Sequence, residues 1–277
     1  GLDHLSLIGI NIDKTGQLSI NNAKLDGYLK SNFEDVVNLF SAQGTSTNSS
    51  LTYITSGINM AEGDYEVEIS QTATRASVVG SGFSGTLSGD ATLTLASAGG
   101  KEETISLSAG WNITSIVNAI NSGNTLGIVA ENDDGQLRIS SNTYGSAGEF
   151  TLSVTGGNLG LADGTYAGLD VAGRIREQGS SDWMSMTGRG QTLIGDDDQA
   201  VEGLRLRYTG PETGMIDFSF IKGVGDKLDK ALHYMSDGID GYVANKQKSL
   251  QNQINNIDKK IDRMEMRLTQ YQETLIA

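Results

Sequence analysis

The chain has 277 residues and a formal net charge of −14 at pH 7, from 34 acidic and 20 basic side chains. This acidity argues against nucleic acid as a partner, because phosphate contacts require clustered Lys and Arg. Cysteine is absent, which excludes disulfides and Cys-ligated metal sites, and no apolar run predicts a membrane span. The 36 glycines and the single proline are typical of many short strands joined by tight turns.

Residues 1–43 are predicted to form the end of a β-rich head domain. Apolar positions alternate over residues 5–12, and a turn at 13–16 leads into a second short strand, which is typical of a β-hairpin. Two short helices follow, because apolar residues then recur at helical spacing. Their predicted N-terminal caps are Asn21 or Asn22 for the first helix and Asn32 for the second.

Two β-rich modules are predicted beyond a polar linker at residues 44–57. The first module, residues 58–158, begins with a clear alternation of apolar and polar residues after Tyr65. It contains one helix, which Asn112 caps and in which apolar residues recur at i, i+3, i+4 and i+7. The second module, residues 159–221, has further strands separated by Gly-rich turns.

The last part of the chain, residues 222–277, is predicted to be a helical leg. A short amphipathic helix over 224–235 is followed by a Gly-containing turn at 238–241 and by a long helix that starts near Val243. Apolar residues on the long helix alternate at spacings of four and three, which places them on one stripe that needs burial against another helix. The predicted coiled-coil seam consists of Leu250, Ile254, Ile257, Ile261, Met264, Leu268, Tyr271 and Leu275.

The predicted fold class is therefore α+β, with β-rich head modules followed by an antiparallel helical (coiled-coil) leg. The regular part of the rod, Lys246–Ala277, would be about 48 Å long. Residues 224–235 are expected to supply part of its partner, and a helix outside this chain is expected to supply the rest. Because the chain does not begin with Met and stops within a helical pattern, we expect it to be an internal piece of a longer protein.

Several short motifs match known sites only in part. Asp13-Lys14-Thr15-Gly16 matches the phosphorylation loop of P-type ATPases, but such pumps need membrane helices, and these are ordinary turn residues. Residues 80–85 fit G-x-G-x-x-G, but a strand pattern follows instead of the helix that dinucleotide binding requires. The acidic runs 132–135 and 196–198 lack the ligand spacing of an EF-hand. We interpret all four segments as turns.

No pattern in the sequence predicts catalysis. His4 and His233 are the only histidines, and they lie on different predicted modules and outside any zinc-binding motif. There is no nucleophile elbow or Walker loop, and Trp111 and Trp183 are interpreted as packing or interface residues. We therefore expect that the protein is not an enzyme, and we predict no catalytic, cofactor-binding or metal-binding residue.

Three blocks of the chain resemble the bacterial flagellar filament cap family, the hook-associated proteins of type 2. Residues 5–40 contain Ile8-Gly9-Ile10, a D-x-x-G-x-L turn and a closing Val-x-x-Leu-Phe. Residues 64–154 are similar to the flagellin hook-associated insertion motif, which opens at Tyr65-Glu66-Val67. Residues 168–275 continue from Asp170-Val171-Ala172-Gly173 into the rod. Each motif is short, but their order along the chain is specific.

The resemblance implies a structural cap at the tip of the bacterial flagellar filament, which promotes the folding and insertion of exported flagellin and prevents its loss. The implied partners are a homo-oligomeric ring of cap subunits, flagellin, the hook–filament junction protein, an export chaperone and, where caps act as adhesins, host surface glycans. It implies no cofactor, no nucleic acid and no membrane span. The implied location is extracellular, at the flagellum tip, after secretion through the flagellar export channel.

Two departures from the family pattern and one alternative function stay open. Arg174-Ile175-Arg176 replaces the more usual Thr-Ile-Asn-Gly run, which is expected to change only a turn. The β-rich stretch between Phe40 and Gly223 is longer than in compact members, which predicts extra head modules.

The alternative function is a surface adhesin or glycan-binding module on a coiled-coil stalk, since β-rich heads serve both functions. A polysaccharide-active enzyme would need converging carboxylates, which the sequence does not identify.

Overall fold

A computed structural model describes residues 4–12, 17–83, 85–227, 234, 237–238 and 241–276. The chain divides into two compact units. One unit consists of residues 1–41 together with 222–277, and the other of residues 42–221. Among the described residues, no helix combines the length and the apolar character that a membrane crossing requires.

Seventeen strands, four α-helices and two short 3₁₀ helices (Leu5–Ile8 and Ser146–Gly148) are described. The strands are β1 (Ile10–Ile12), β2 (Leu18–Ile20), β3 (Gln43–Ser46), β4 (Leu51–Thr55), β5 (Gly63–Gln71), β6 (Arg75–Val79), β7 (Ala91–Ser97), β8 (Glu102–Leu107), β9 (Ile128–Asp133), β10 (Gln136–Tyr144), β11 (Phe150–Gly156), β12 (Gly164–Tyr166), β13 (Ala172–Glu177), β14 (Met184–Arg189), β15 (Thr192–Gly195), β16 (Arg205–Tyr208) and β17 (Gly214–Ile221). The helices are α1 (Asn22–Ser31), α2 (Phe33–Phe40), α3 (Ile113–Gly123) and α4 (Tyr242–Ile276).

Within residues 42–221, eight antiparallel strands form the first lobe of the head, which we call the barrel lobe. Their order is β3-β17-β5-β13-β14-β15-β16-β4, and the two end strands, β3 and β4, also lie against each other. Buried residues alternate with more exposed ones along β5, β15, β16 and β17, so one face of the sheet encloses the core and the other faces water. The core contains Leu51, Met60, Tyr65, Val67, Ile69, Val171, Ile175, Met186, Leu193, Val201, Leu204, Leu206, Tyr208, Ile216, Phe218 and Phe220.

The second lobe of the head is inserted between β5 and β13, and we call it the inserted lobe. It has a three-stranded sheet, β6-β10-β9, and a four-stranded sheet, β12-β11-β7-β8. Helix α3 begins where the Oδ1 atom of Asn112 accepts the N–H of Ser115, which confirms the predicted cap, and it buries Ile116 and Ile120. The amide of Asn121 then exchanges two hydrogen bonds with the backbone of Ala130 on β9. The lobe therefore has a core of its own.

The unit formed by residues 1–41 and 222–277 begins with the hairpin β1–β2 and the helices α1 and α2. The Oδ1 atom of Asn21 accepts the N–H of Lys24, so Asn21 caps α1. Asn32 precedes α2 but makes no capping hydrogen bond through its side chain, because its oxygen accepts the hydroxyl of Ser31 instead. A small core of Ile8, Val36 and Leu39 holds these elements together. The predicted turn at 13–16 lies outside the described residues.

Three predicted boundaries are corrected by this arrangement. Residues 44–57 are not a linker, because most of β3 and all of β4 lie there and pair with β17 and β16. Strand β5 belongs with the barrel lobe and not with the module at 58–158, since its partners are β13 and β17. Residues 1–41 cluster with the C-terminal residues instead of ending a β-rich domain. Local alternation reveals a strand, but its distant partners decide the sheet to which it belongs.

Gly44 is a sensitive position of the barrel lobe, because β3 and β4 approach each other there. A Cβ atom at Gly44 would lie 2.5 Å from Cε2 of Phe218 and 2.7 Å from Cβ of Tyr53. We expect Gly44→Ala to lower the free energy of unfolding by about 1–3 kcal/mol, the usual cost of overpacking. Gly89→Ala is the matched control, since no atom lies within 4 Å of its added Cβ. Equal urea midpoints for the two variants would contradict this packing.

Candidate assembly surfaces

The predicted seam lies on one face of α4, and its side chains are exposed. The seven described members range from 44% exposed at Ile261 to 75% at Tyr271. The side chain of Leu275 lies outside the described residues, as does most of the predicted helix 224–235. The structure therefore brings the seam residues onto one helix but does not show what covers them.

The charged residues of α4 are sorted by sign beside the seam. If the seam residues occupy the a and d positions of a heptad, Asp258 and Glu265 lie at e positions along one side of the seam. Lys260 and Arg267 then lie at g positions along the other side. Every pair of charged side chains four residues apart on this helix joins like charges: Asp258 and Asp262, Lys259 and Arg263, and Arg263 and Arg267. Such pairs weaken an isolated helix by a few tenths of a kcal/mol each. This separation of acidic and basic residues favours pairing with a second helix and does not stabilise α4 by itself.

Helix α2 carries a second exposed apolar face. Val36 and Leu39 point into the small core, whereas Phe33, Val37 and Phe40 remain exposed. These three residues follow the spacing i, i+4 and i+7, so they share one face. The apolar arc of α2 is therefore wider than the small core of Ile8, Val36 and Leu39 can cover.

The two lobes of the head meet at Asp170, in the segment that returns the chain from β12 to β13. Its Oδ1 atom accepts the N–H of Gly190 at 2.6 Å and the N–H of Ser146 at 3.2 Å, and its Oδ2 atom accepts the hydroxyl of Ser146 at 2.6 Å. Ser146 lies between β10 and β11 of the inserted lobe, and Gly190 lies in the β14–β15 turn of the barrel lobe. One carboxylate therefore joins both lobes, and we call this junction the Asp170 latch.

Close backbone packing surrounds the Asp170 latch. A Cβ atom at Gly145 would lie 2.0 Å from the Oδ1 atom of Asp170, and Gly145 has a φ of +82°, so only glycine fits there. Burial would raise the pKa of Asp170, but the hydrogen bonds from Ser146 and Gly190 and the positive charge of Arg189 outweigh it and lower that pKa below its usual value. The carboxylate is therefore held in its charged form.

Trp183 lies on the outer face of the barrel lobe beneath two guanidinium groups. The Cζ atoms of Arg174 and Arg176 lie 4.1 and 4.5 Å from the centre of its ring. Each arginine also pairs across to β5, Arg174 with Glu68 and Arg176 with Glu66, the latter with a distance of 2.6 Å from Nε to Oε2. The run 174–176 therefore lies within strand β13, which corrects the expectation that its unusual sequence alters only a turn.

The remaining motifs lie in turns wherever they are described. Residues 132–135 close the β9–β10 hairpin, where Asp134 and Gly135 have φ values of +49° and +88°. Residues 80–85 lead into strand β7, and the carboxylate of Asp196 accepts the hydroxyl of Thr187. Within the described part of the chain, no three His, Cys, Asp or Glu side chains converge as a metal site would require. His4 is exposed, and His233 lies outside the described residues.

Comparison with known proteins identifies related families over two parts of the chain. Residues 1–79 match the family model described as the flagellar hook-associated protein 2 C-terminus. Residues 92–143 match the model of the flagellin hook IN motif. No curated protein sequence matches the chain significantly.

Solved structures of flagellar cap proteins are among those similar to the chain. The D2–D3 domains of FliD from Escherichia coli are 18% identical, with a TM-score of 0.45 over 66% of this chain and 100% of that chain. The D1–D2–D3 domains from Escherichia coli are 19% identical, with a TM-score of 0.44 over 72% of this chain and 61% of that chain. The D2–D3 domains from Serratia marcescens are 16% identical, with a TM-score of 0.38 over 63% and 97% of the two chains. The two family models thus confirm the resemblance of this chain to the flagellar hook-associated protein 2 family, over residues 1–79, together with a flagellin hook IN motif over residues 92–143.

Proposed function

We propose that this chain is part of a structural cap at the tip of a bacterial flagellar filament, where it promotes the folding and insertion of exported flagellin and prevents its loss. The observation that carries the proposal is that two flagellar family models match neighbouring segments, residues 1–79 and 92–143. The working protein is a homo-oligomeric ring outside the cell, secreted through the flagellar export channel. Its other partners are the hook–filament junction protein and an export chaperone.

In this proposal α4 is the shaft of an antiparallel helical leg, and another helix covers its seam. Support comes from the exposure of Leu250, Ile254 and Ile257 along one unbroken stripe, since apolar stripes of this length are normally buried. In an antiparallel pair, equivalent flanks face each other. Two antiparallel copies of α4 would therefore place Lys260 and Arg267 against the same basic residues. The antiparallel partner is for that reason a different helix.

The charged residues that flank the seam of α4 also predict the charges of this partner helix. It should place acidic side chains beside Lys260 and Arg267, and basic side chains beside Asp258 and Glu265. The helix that the sequence predicts over residues 224–235 would cover only the first part of the seam, since a helix of 12 residues spans about 18 Å while the 35 residues of α4 span about 52 Å. The remaining length is covered by a helix from outside this chain.

Immunogold microscopy tests the proposed function. Antibodies raised against residues 42–221 should label the ends of intact filaments and leave the filament shafts and the cell wall unlabelled. Labelling of the cell wall or of pili would instead support the adhesin alternative, and labelling along the shaft would remove the cap proposal. Antibodies against flagellin should label the whole filament. They serve as the control that antibodies can reach the filament surface.

A further inference from the structure

Three of the basic side chains of the head form ion pairs, in a part of the molecule that is strongly acidic. Residues 42–221 contain 21 acidic and 8 basic side chains, a net charge of −13. Arg138 pairs with Glu131 and Asp133, and Arg174 and Arg176 pair with glutamates on β5. A basic side chain in such acidic surroundings normally lies close to a carboxylate. An arginine that forms no ion pair is therefore a candidate for contact with another molecule.

Arg205 and Arg207 are two neighbouring basic side chains outside these ion pairs, and we call them the arginine strip. They lie at i and i+2 on β16, so both point to the outer face of the sheet, about 7 Å apart. Their neighbours across the sheet are Thr192 and Ile194 on β15 and threonines on β4, and both arginines are exposed. Arg207 donates to the side-chain oxygen of Gln191. Among the described residues, neither arginine forms an ion pair with a carboxylate.

A surface of opposite charge lies elsewhere on the same lobe, and we call it the aspartate cavity. It is an open cavity of about 310 Å³ whose lining includes Asp64 on β5 and Asp217 on β17, together with the hydroxyl-bearing residues Thr45, Thr47 and Ser219. Ser219 lies directly opposite Asp64, and Asp217 lies opposite Glu66. Glu66 is paired with Arg176, whereas the carboxylates of Asp64 and Asp217 form no ion pair within the described part of the lobe.

We propose that the arginine strip of one copy binds the aspartate cavity of the next copy. A guanidinium group offers five N–H donors in a planar fork, which suits two carboxylates and neighbouring hydroxyl oxygens. The two surfaces lie on different strands, β16 against β5 and β17, so each copy carries one donor and one acceptor surface. Such a head-to-tail contact continues from copy to copy and closes into a ring when the rotation permits. The inference rests on the proposed function, for which it supplies a subunit contact.

Sedimentation velocity of the whole chain at low ionic strength tests this contact. The parent chain should associate increasingly with concentration and form species larger than dimers. Arg205→Glu should raise the dissociation constant at least about tenfold, because an acidic side chain then faces the aspartate cavity. Lys101→Glu is the matched control, since this exposed side chain gives the same change in net charge on the other lobe. Raising the salt concentration should weaken association of the parent.

A mixing experiment distinguishes the head-to-tail contact from other modes of association between copies. Arg205→Gln with Arg207→Gln removes the charges of the donor surface, and Asp64→Asn with Asp217→Asn removes the charges of the acceptor surface. Each double variant alone should be monomeric, and a 1:1 mixture should form a heterodimer and nothing larger, because one intact surface of each kind remains. A parent chain that stays monomeric up to about millimolar concentration, or double variants that associate like the parent, would overturn the proposed contact. If the antibodies against residues 42–221 still label the filament tips in that case, the cap function remains supported and only the proposed contact is wrong.

Discussion

Replacing Ile261 by Asp is expected to abolish filament capping while it leaves the purified chain almost as stable as the parent. Ile261 is 44% exposed on α4, so in the chain alone the new charge stays in water and should change the free energy of unfolding by less than about 1 kcal/mol. In the assembled leg the same charge would lie in the covered seam, where a buried unpaired charge costs several kcal/mol. Complementation of a deletion strain and urea unfolding measure the two effects.

The control for this substitution is Asn255→Asp, which adds the same charge on an outer face of α4, away from the seam. It should restore filaments to a deletion strain as well as the parent does. Ile257→Asp should behave like Ile261→Asp, because it lies four residues earlier on the same stripe. Normal filaments with both seam variants would show that the seam is not covered in the working protein.

Replacing Asp170 by Asn is expected to loosen the inserted lobe from the barrel lobe. The amide keeps one acceptor oxygen but loses the negative charge, so the hydrogen bonds from Ser146 and Gly190 are weakened or lost. We expect the free energy of unfolding to fall by about 1–3 kcal/mol. Because the chain has no cysteine, spin labels at Thr52→Cys and Lys101→Cys can report the distance between lobes, and its distribution should broaden.

Asp163→Asn is the matched control for the Asp170 latch. Asp163 also accepts a backbone N–H and a hydroxyl, those of Val154 and Ser153, but all three residues lie in the inserted lobe. Its replacement should leave the distance between the lobes unchanged. A distribution that is equally narrow in the parent and in both variants would contradict a role for Asp170 in holding the lobes together.

The pH dependence of the Asp170 latch follows from the lowered pKa of its carboxyl group. A group whose pKa is lower in the folded state stabilises the fold above its unfolded pKa, and this stabilisation is lost as the pH falls through the folded pKa. The labels should therefore report a fixed distance at neutral and mildly acidic pH. Broadening should begin only below the pH at which an ordinary aspartate is protonated, and the Asp170→Asn variant should lack that step.

Elements that depend on neighbouring residues could be predicted from the sequence. The heptad pattern predicts the long helix α4, and Asn112 with its apolar i, i+3, i+4 spacing predicts α3. The alternation after Tyr65 predicts a strand, which is β5. In each case the signal is contained within one or two turns of helix or within one strand, so no distant partner is needed to recognise it.

Features that depend on distant residues could not be predicted. Strand β5 pairs with β13, about 100 residues away, and no local pattern specifies that partner. Asp170 is an isolated acidic residue, and its role depends on Ser146 and Gly190 reaching it from two lobes. The sequence Arg-Leu-Arg-Tyr does indicate that Arg205 and Arg207 share a face, but only the sheet shows that their neighbours are uncharged.

The most direct test of the cap function is the distribution of flagellin in a strain that lacks the gene for this protein. If the protein caps the filament, flagellin should still be exported, but most of it should appear as monomers in the medium, and cells should carry few or no filaments. Re-expression of the parent gene should return flagellin to the filaments. Filaments of normal number and length in the deletion strain, with no rise in free flagellin, would contradict the account.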